Sequence, residues 1–87
     1  MLITREVVAA KLTAYLQGHV PFSELVSWAE DVMQEGDFAP KDSDTLREIV
    51  SNLGLADVKA FGLEWEDCNK YLNRLGYVVQ IKVSPQT

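Results

Sequence analysis

Apolar positions keep a helical period through most of this chain and change to simple alternation only near its end. Val8, Leu12, Tyr15 and Leu16 fall at i, i+4, i+7 and i+8, the inward stripe of one helix. Thr4 stands where an N-cap belongs, so the spacing predicts a helix from there to about Gln17. Pro21 then interrupts the chain, and Ser23 is the expected cap of a second helix, with Glu24 favourably placed against its dipole. Leu25, Trp28, Ala29 and Val32 form its inward face, Met33 beside them, and Gly36 its stop. Pro40, Asp42 and Ser43 open a third helix with the stripe Leu46, Ile49, Val50 and Leu53. Residues 56–61 predict one helical turn ending at Gly62, and residues 65–75 a fourth helix burying Trp65, Cys68, Leu72 and Leu75.

After Gly76 the period becomes two. Tyr77, Val79, Ile81 and Val83 alternate with Val78, Gln80 and Lys82, which predicts a C-terminal strand over 77–83 with one apolar face. The expected fold is therefore mainly α, a single domain over residues 1–87: a small bundle of four main helices, one short helical turn and one β-strand. A strand must pair its backbone N–H and C=O groups with a neighbour. The chain offers only residues 1–3 or 20–22, both too short to cover the edge. The remaining candidates are a second copy of the chain and another protein.

Glycines punctuate the pattern. Gly18, Gly36, Gly54 and Gly76 each follow a helical run, where a residue in left-handed conformation is expected to end the helix. Asn52-Leu53-Gly54-Leu55 and Arg74-Leu75-Gly76-Tyr77 share one form, which predicts two Schellman stops.

Composition adds limits. A hydrophobic fraction of 47% in 87 residues suffices for a core and excludes a disordered chain. One cysteine cannot close an intramolecular disulfide, which fits a reducing compartment. The first residues lack the basic-then-apolar order of a signal peptide, and no apolar run is long enough to span a membrane. The expected location is cytoplasmic. The net charge is −5, and residues 24–48 alone carry −6, eight acids against only Lys41 and Arg47, so the flanks together are about neutral. Such a surface repels phosphate backbones and disfavours nucleic acid. It is either a solvated face or a dock for a basic partner, with Glu30, Asp31, Glu35 and Asp37 as its candidates. Val78, Gln80 and Lys82, outward on the expected strand, are the other interaction candidates.

Residues that carry chemistry elsewhere have structural explanations here. Cys68 lies on an apolar stripe beside Glu66 and Asp67, which stabilise the protonated thiol. His19 is the only histidine and sits in a turn, without the companions a catalytic or metal site needs. Asp42-Ser43-Asp44 lacks the glycine and distal glutamate of a calcium loop. These acids, like Glu64, Glu66 and Asp67, are what helix N-termini hold. Trp28 and Trp65 are core residues by spacing, or else interface anchors. There is no Gly-rich phosphate loop and no aromatic-interleaved basic stretch. The expectation is a non-enzyme with no cofactor and no metal.

The runs Glu24-Leu25-Val26-Ser27-Trp28-Ala29-Glu30, Glu35-Gly36-Asp37-Phe38, Leu53 to Leu63 and Trp65-Glu66-Asp67-Cys68 together resemble a group of short acidic bacterial proteins described as hypothetical. The resemblance spans most of the chain and implies no activity and no functional residue. Two more general likenesses exist. Acyl carrier proteins are small, acidic and four-helical, and Ser43 opens a helix as their modified serine does, but Asp44 replaces the apolar residue that follows it there. Colicin DNase immunity proteins are four-helical and acidic and bind a basic toxin, but their Tyr-Tyr-Pro motif is missing. The expected function is a non-catalytic interaction module of immunity, antitoxin or regulatory type. The alternatives are a homodimer through the C-terminal strand and a carrier modified at Ser43.

Overall fold

The computed structural model describes residues 2–57 and 63–79. Its elements in chain order are β1 (Leu2–Ile3), α1 (Arg5–Leu16), α2 (Phe22–Glu35), β2 (Asp37–Phe38), a 3-10 turn (Pro40–Asp42), α3 (Ser43–Gly54) and α4 (Trp65–Arg74). The protein is thus mainly helical, as the periodicity requires, with a small sheet of different origin from the one expected.

The core is built from the stripes. Val8, Ala9 and Leu12 of α1, Leu25, Ala29 and Val32 of α2, Leu46, Ile49, Val50 and Leu53 of α3, and Cys68 and Leu72 of α4 are buried in one cluster, with Ile3 and Leu75. Val26 of α2 is buried as well. No polar or charged residue is buried among those described, so the interior is held by apolar packing alone. Helices α2 and α3 form the most extensive contact. Two expected core residues lie elsewhere. Met33 is exposed on α2, and Trp65, the first residue of α4, is 45% exposed. Side chains in a first turn lean toward the helix N-terminus, which carries the indole past the end of the stripe.

Caps account for the helix starts. The Thr4 hydroxyl accepts from the Val7 N–H at 3.3 Å, the expected N-cap of α1. Helix α2 instead begins at Phe22, one residue before Ser23, with Pro21 in the cap position and no side-chain cap. The Pro21 carbonyl accepts from Glu24 and Leu25, so the proline whose ring breaks the chain also sets the first turn. At α4 the Asp67 carboxylate accepts from the Glu64 N–H at 2.9 Å, confirming a capping role for that acid.

The glycine stops divide into two kinds. Gly18 and Gly76 have φ of +81° and +94°. At α1 the His19 N–H reaches Ala14 O and the Gly18 N–H reaches Tyr15 O; at α4 the Tyr77 N–H reaches Leu72 O and the Gly76 N–H reaches Asn73 O. Both are complete Schellman motifs. Gly36 and Gly54 do not adopt left-handed backbone, contrary to the expectation for each. Gly54 is the last residue of α3, and Leu55 and Ala56 continue it with bonds to Asn52 O and Leu53 O. Ala56 is buried, and placing it inward favours this tightened last turn over a left-handed cap. Two alanine substitutions separate the cases. Gly54→Ala is expected to be neutral or to stabilise by up to about 1 kcal/mol, since its Cβ meets only ordinary contacts at 3.6 Å and beyond. Gly76→Ala is expected to cost about 1–2 kcal/mol for its positive φ, with chemical denaturation as the measurement.

Leu2–Ile3 pairs in parallel with Asp37–Phe38, Leu2 opposite Asp37 and Ile3 opposite Phe38. The Ala39 N–H extends the ladder to Ile3 O at 2.9 Å. The N-terminal residues therefore do form a strand, but their partner follows α2 rather than the C-terminal segment. Of the expected strand 77–83, residues 77–79 are described and belong to no strand, and residues 80–83 lie outside the described residues. The Tyr77 N–H is already committed to the α4 cap. Of the expected alternation, Val79 packs on the core and Val78 is 81% exposed, but Tyr77, expected inward with Val79, is exposed as well. Residues 20–22 form no strand, since Phe22 opens α2. Of the expected helical turn, Ala56 and Asp57 lie in a turn and residues 58–61 lie outside the described residues.

Candidate functional site

Residues with reactive potential are tied into the scaffold. Cys68 is fully buried on α4. Burial, with the Asp67 carboxylate adding to it, pushes its thiol up to about 11. A thiol so held is almost wholly protonated near neutral pH and is a poor nucleophile. Thiol-directed reagents are expected to label Cys68 at neutral pH only at the rate of unfolding. Because the folded-state value lies above that of a free thiol, Cys68 favours the folded state below the free-thiol value and loses that contribution as pH rises toward 11. Labelling of folded and urea-unfolded protein across this pH range measures both effects.

His19 is exposed and follows the left-handed glycine of α1. Ser43 opens α3 half-buried. The preceding Asp42 is engaged by Arg5, whose Nε and Nη2 donate to the same carboxylate oxygen at 3.2 and 3.0 Å. This pair joins the start of α1 to the start of α3. A second pair, Arg74 Nη2 to Glu48 at 2.7 Å, joins α4 to α3. It holds the Glu48 carboxyl below the usual carboxylate range and Arg74 above its own. The Arg47 guanidinium stands 4.9 Å from the Phe38 ring centroid, covering β2 with a cation. Among the described residues, no group of three His, Cys, Asp or Glu side chains is arranged to hold a metal ion. Nor is any described helix long and apolar enough to cross a membrane.

Two surfaces stand out instead. The first is a groove of about 340 Å3 on α2, lined by Trp28, Asp31, Val32, Glu35 and Gly36. These positions are i, i+3, i+4, i+7 and i+8, one face of a helix. Its floor is apolar: Val32 is buried and Trp28 half-buried against the core. Asp31 and Glu35 are exposed carboxylates on its rim. The Lys11 ammonium, from α1, lies 5.6 Å from the centre of the Trp28 ring.

The second surface is also about 340 Å3 and is lined by Thr13, Leu16, Gln17, Trp65, Tyr77, Val78 and Val79. None of these side chains is charged. Three are large and exposed: Trp65 at 45%, Tyr77 at 37% and Val78 at 81%. A shallower depression along α1, containing Ala10 and Ala14, shares Thr13, Gln17 and Tyr77 with it. The uncharged face thus adjoins, through Tyr77 and α1, a depression whose lining also includes the carboxylate of Glu6.

The interaction candidates read from sequence are distributed over both surfaces. Asp31 and Glu35 meet at the α2 groove. Glu30 is exposed beside Gly54 of α3, and Asp37 is exposed on β2. Val78 belongs to the uncharged face, while Gln80 and Lys82 lie outside the described residues. Leu16, Trp65 and Tyr77 were legible only as core or strand-face positions. The available signal was that Trp65 opens its helix, beyond the reach of the central stripe.

Comparison with protein-family models, with curated proteins and with solved structures returns no match.

Proposed function

We propose that this chain is a non-catalytic protein-interaction module, of the kind that serves as an immunity protein, an antitoxin or a regulatory subunit. The observation that carries this reading is the uncharged face on which Trp65, Tyr77 and Val78 stand exposed around one groove. Tryptophan and tyrosine dominate the energetics of protein interfaces, especially where they surround an apolar pocket. An exposed apolar cluster of this kind costs solubility unless a partner covers it.

The test compares tagged chain with its Val78→Asp variant in the source cell. Val78 is almost wholly exposed, so the substitution leaves folding intact and places a charge on the face. A partner retained in stoichiometric amount by the parent, and reduced about tenfold or more in the variant, is the expected result. Identical proteins in identical amounts with both chains overturn the reading.

One observation favours a second reading, that a further copy of this chain covers the same face. Copies carrying −5 each repel one another, and an uncharged surface is where they approach at least cost. Sedimentation at high micromolar concentration decides it: a dimer strengthened by salt and lost in Val78→Asp supports self-association, and a monomer under all conditions removes it.

A further inference from the structure

The α2 groove shares no lining residue with the Trp65–Val78 surface and, unlike that uncharged face, carries two carboxylates. We infer that it receives the cationic side chain of a lysine or arginine from a basic protein segment, with the aliphatic stem on Trp28 and Val32 and the charged head between Asp31 and Glu35.

Three features converge on that occupant. The floor, formed by Trp28, Val32 and Gly36, suits methylene groups, and both Lys and Arg carry long apolar stems below their charge. An indole is the aromatic ring that attracts a cation most strongly. In this molecule Lys11 already approaches Trp28 at 5.6 Å, although Lys11 does not line the groove. The rim supplies two carboxylates one helical turn apart, a spacing that lets both approach one guanidinium or ammonium.

The position along the helix strengthens the argument. The groove runs along the C-terminal half of α2 from Trp28 to Gly36 and ends at the negative end of its dipole, where cations are favoured and carboxylates are not. Yet the last turn of α2 ends in Glu35, and no basic residue lies within it. Three sources of negative potential, Asp31, Glu35 and the helix end, coincide without a cation from the same turn. A volume of about 340 Å3, at the low end of the roughly 300–1,000 Å3 of ligand pockets, leaves room for such a side chain to lie along the groove. An acidic ligand is excluded by the same charges. The inference is independent of the reading of the uncharged face.

The experiment uses the intact chain at low salt, following the Trp28 indole N–H resonance by NMR, assigned by its absence in Trp28→Phe. The probes are a blocked Arg-Leu-Arg peptide and a blocked Glu-Leu-Glu peptide. The expected result is a saturable shift with the arginine peptide, none with the acidic one, and weakening by added salt. In Asp31→Asn/Glu35→Gln the affinity is expected to fall about fivefold or more, and in Glu64→Gln/Glu66→Gln, which removes the same charge elsewhere, by less than about twofold. Neutralising the rim also relieves charge at the helix end, so the first variant keeps or raises its melting temperature. No saturable shift, an equal shift with the acidic peptide, or equal weakening in both double variants overturns the proposal. Val78→Asp leaves this titration unchanged while weakening the interaction proposed for the other face, so the two can fail separately.

Discussion

Replacing Ile3 with alanine is expected to destabilise the protein by about 2–5 kcal/mol, as much as truncating a leucine in the middle of a helix. Ile3 is fully buried, belongs to the core cluster, and holds the ladder to Phe38 and Ala39. An 87-residue protein has roughly 4–13 kcal/mol of total stability, so the loss is a large share of it. Leu2→Ala is the matched control. Leu2 is 56% exposed on the same two-residue strand, and its truncation is expected to change stability by less than about 0.5 kcal/mol. Urea unfolding of both variants checks the contrast, and equal effects would mean that β1 contributes no packing of its own.

Gly36→Ala carries the next largest expected effect, about 1–3 kcal/mol of destabilisation through overpacking. The backbone here is ordinary extended chain, φ −79° and ψ 147°, so the glycine is not needed for its torsions. It is needed for space. A Cβ at this position falls 2.7 Å from the Val32 carbonyl oxygen and 3.0 Å from Ile3 Cγ1. The first is helix backbone and cannot yield cheaply. The second disappears in Ile3→Ala, so the double variant Ile3→Ala/Gly36→Ala is expected to lose less than the sum of the single losses. Strict additivity would show that the Ile3 contact is not what resists the methyl group. Gly54→Ala, equally conservative in composition, meets only ordinary contacts at 3.6 Å and beyond.

These two residues mark the limit of what periodicity reveals. The helical stripes of α1, α2 and α3 are long enough to declare themselves, and Leu46, Ile49, Val50 and Leu53 are buried as their spacing demands. A strand of two residues has no period at all. Leu2-Ile3 and Asp37-Phe38 carry no alternation to read, and their pairing depends on where α1 and α2 return the chain. The glycines show a related limit. Leu53-Gly54-Leu55 and Leu75-Gly76-Tyr77 have the same local form, but only Gly76 turns left-handed. The difference is set by the residue after the motif, since Ala56 is drawn into the interior.

The candidate surfaces were legible in part. An excess of acids between residues 24 and 48 marked the acidic surface, whereas Trp28 was legible only as part of the inward stripe of α2 and not as the floor beside Asp31 and Glu35. That Glu30 and Asp37 stand apart from the groove depends on helix rotation and on β2. The uncharged face was hidden because its members come from α1, the first turn of α4 and the segment after Gly76. No local pattern joins Leu16, Trp65 and Val78.

The parallel pairing of β1 with β2 also orders the events by which the chain acquires its shape. Helices α1 and α2 close through neighbours in sequence and need nothing from afar, whereas Ile3 must wait for Phe38 and Ala39. Contacts of high sequence separation are the slow ones to secure. β1 gains its partner only once both intervening helices have formed, and until then the buried face of Ile3 is open to any other strand that passes.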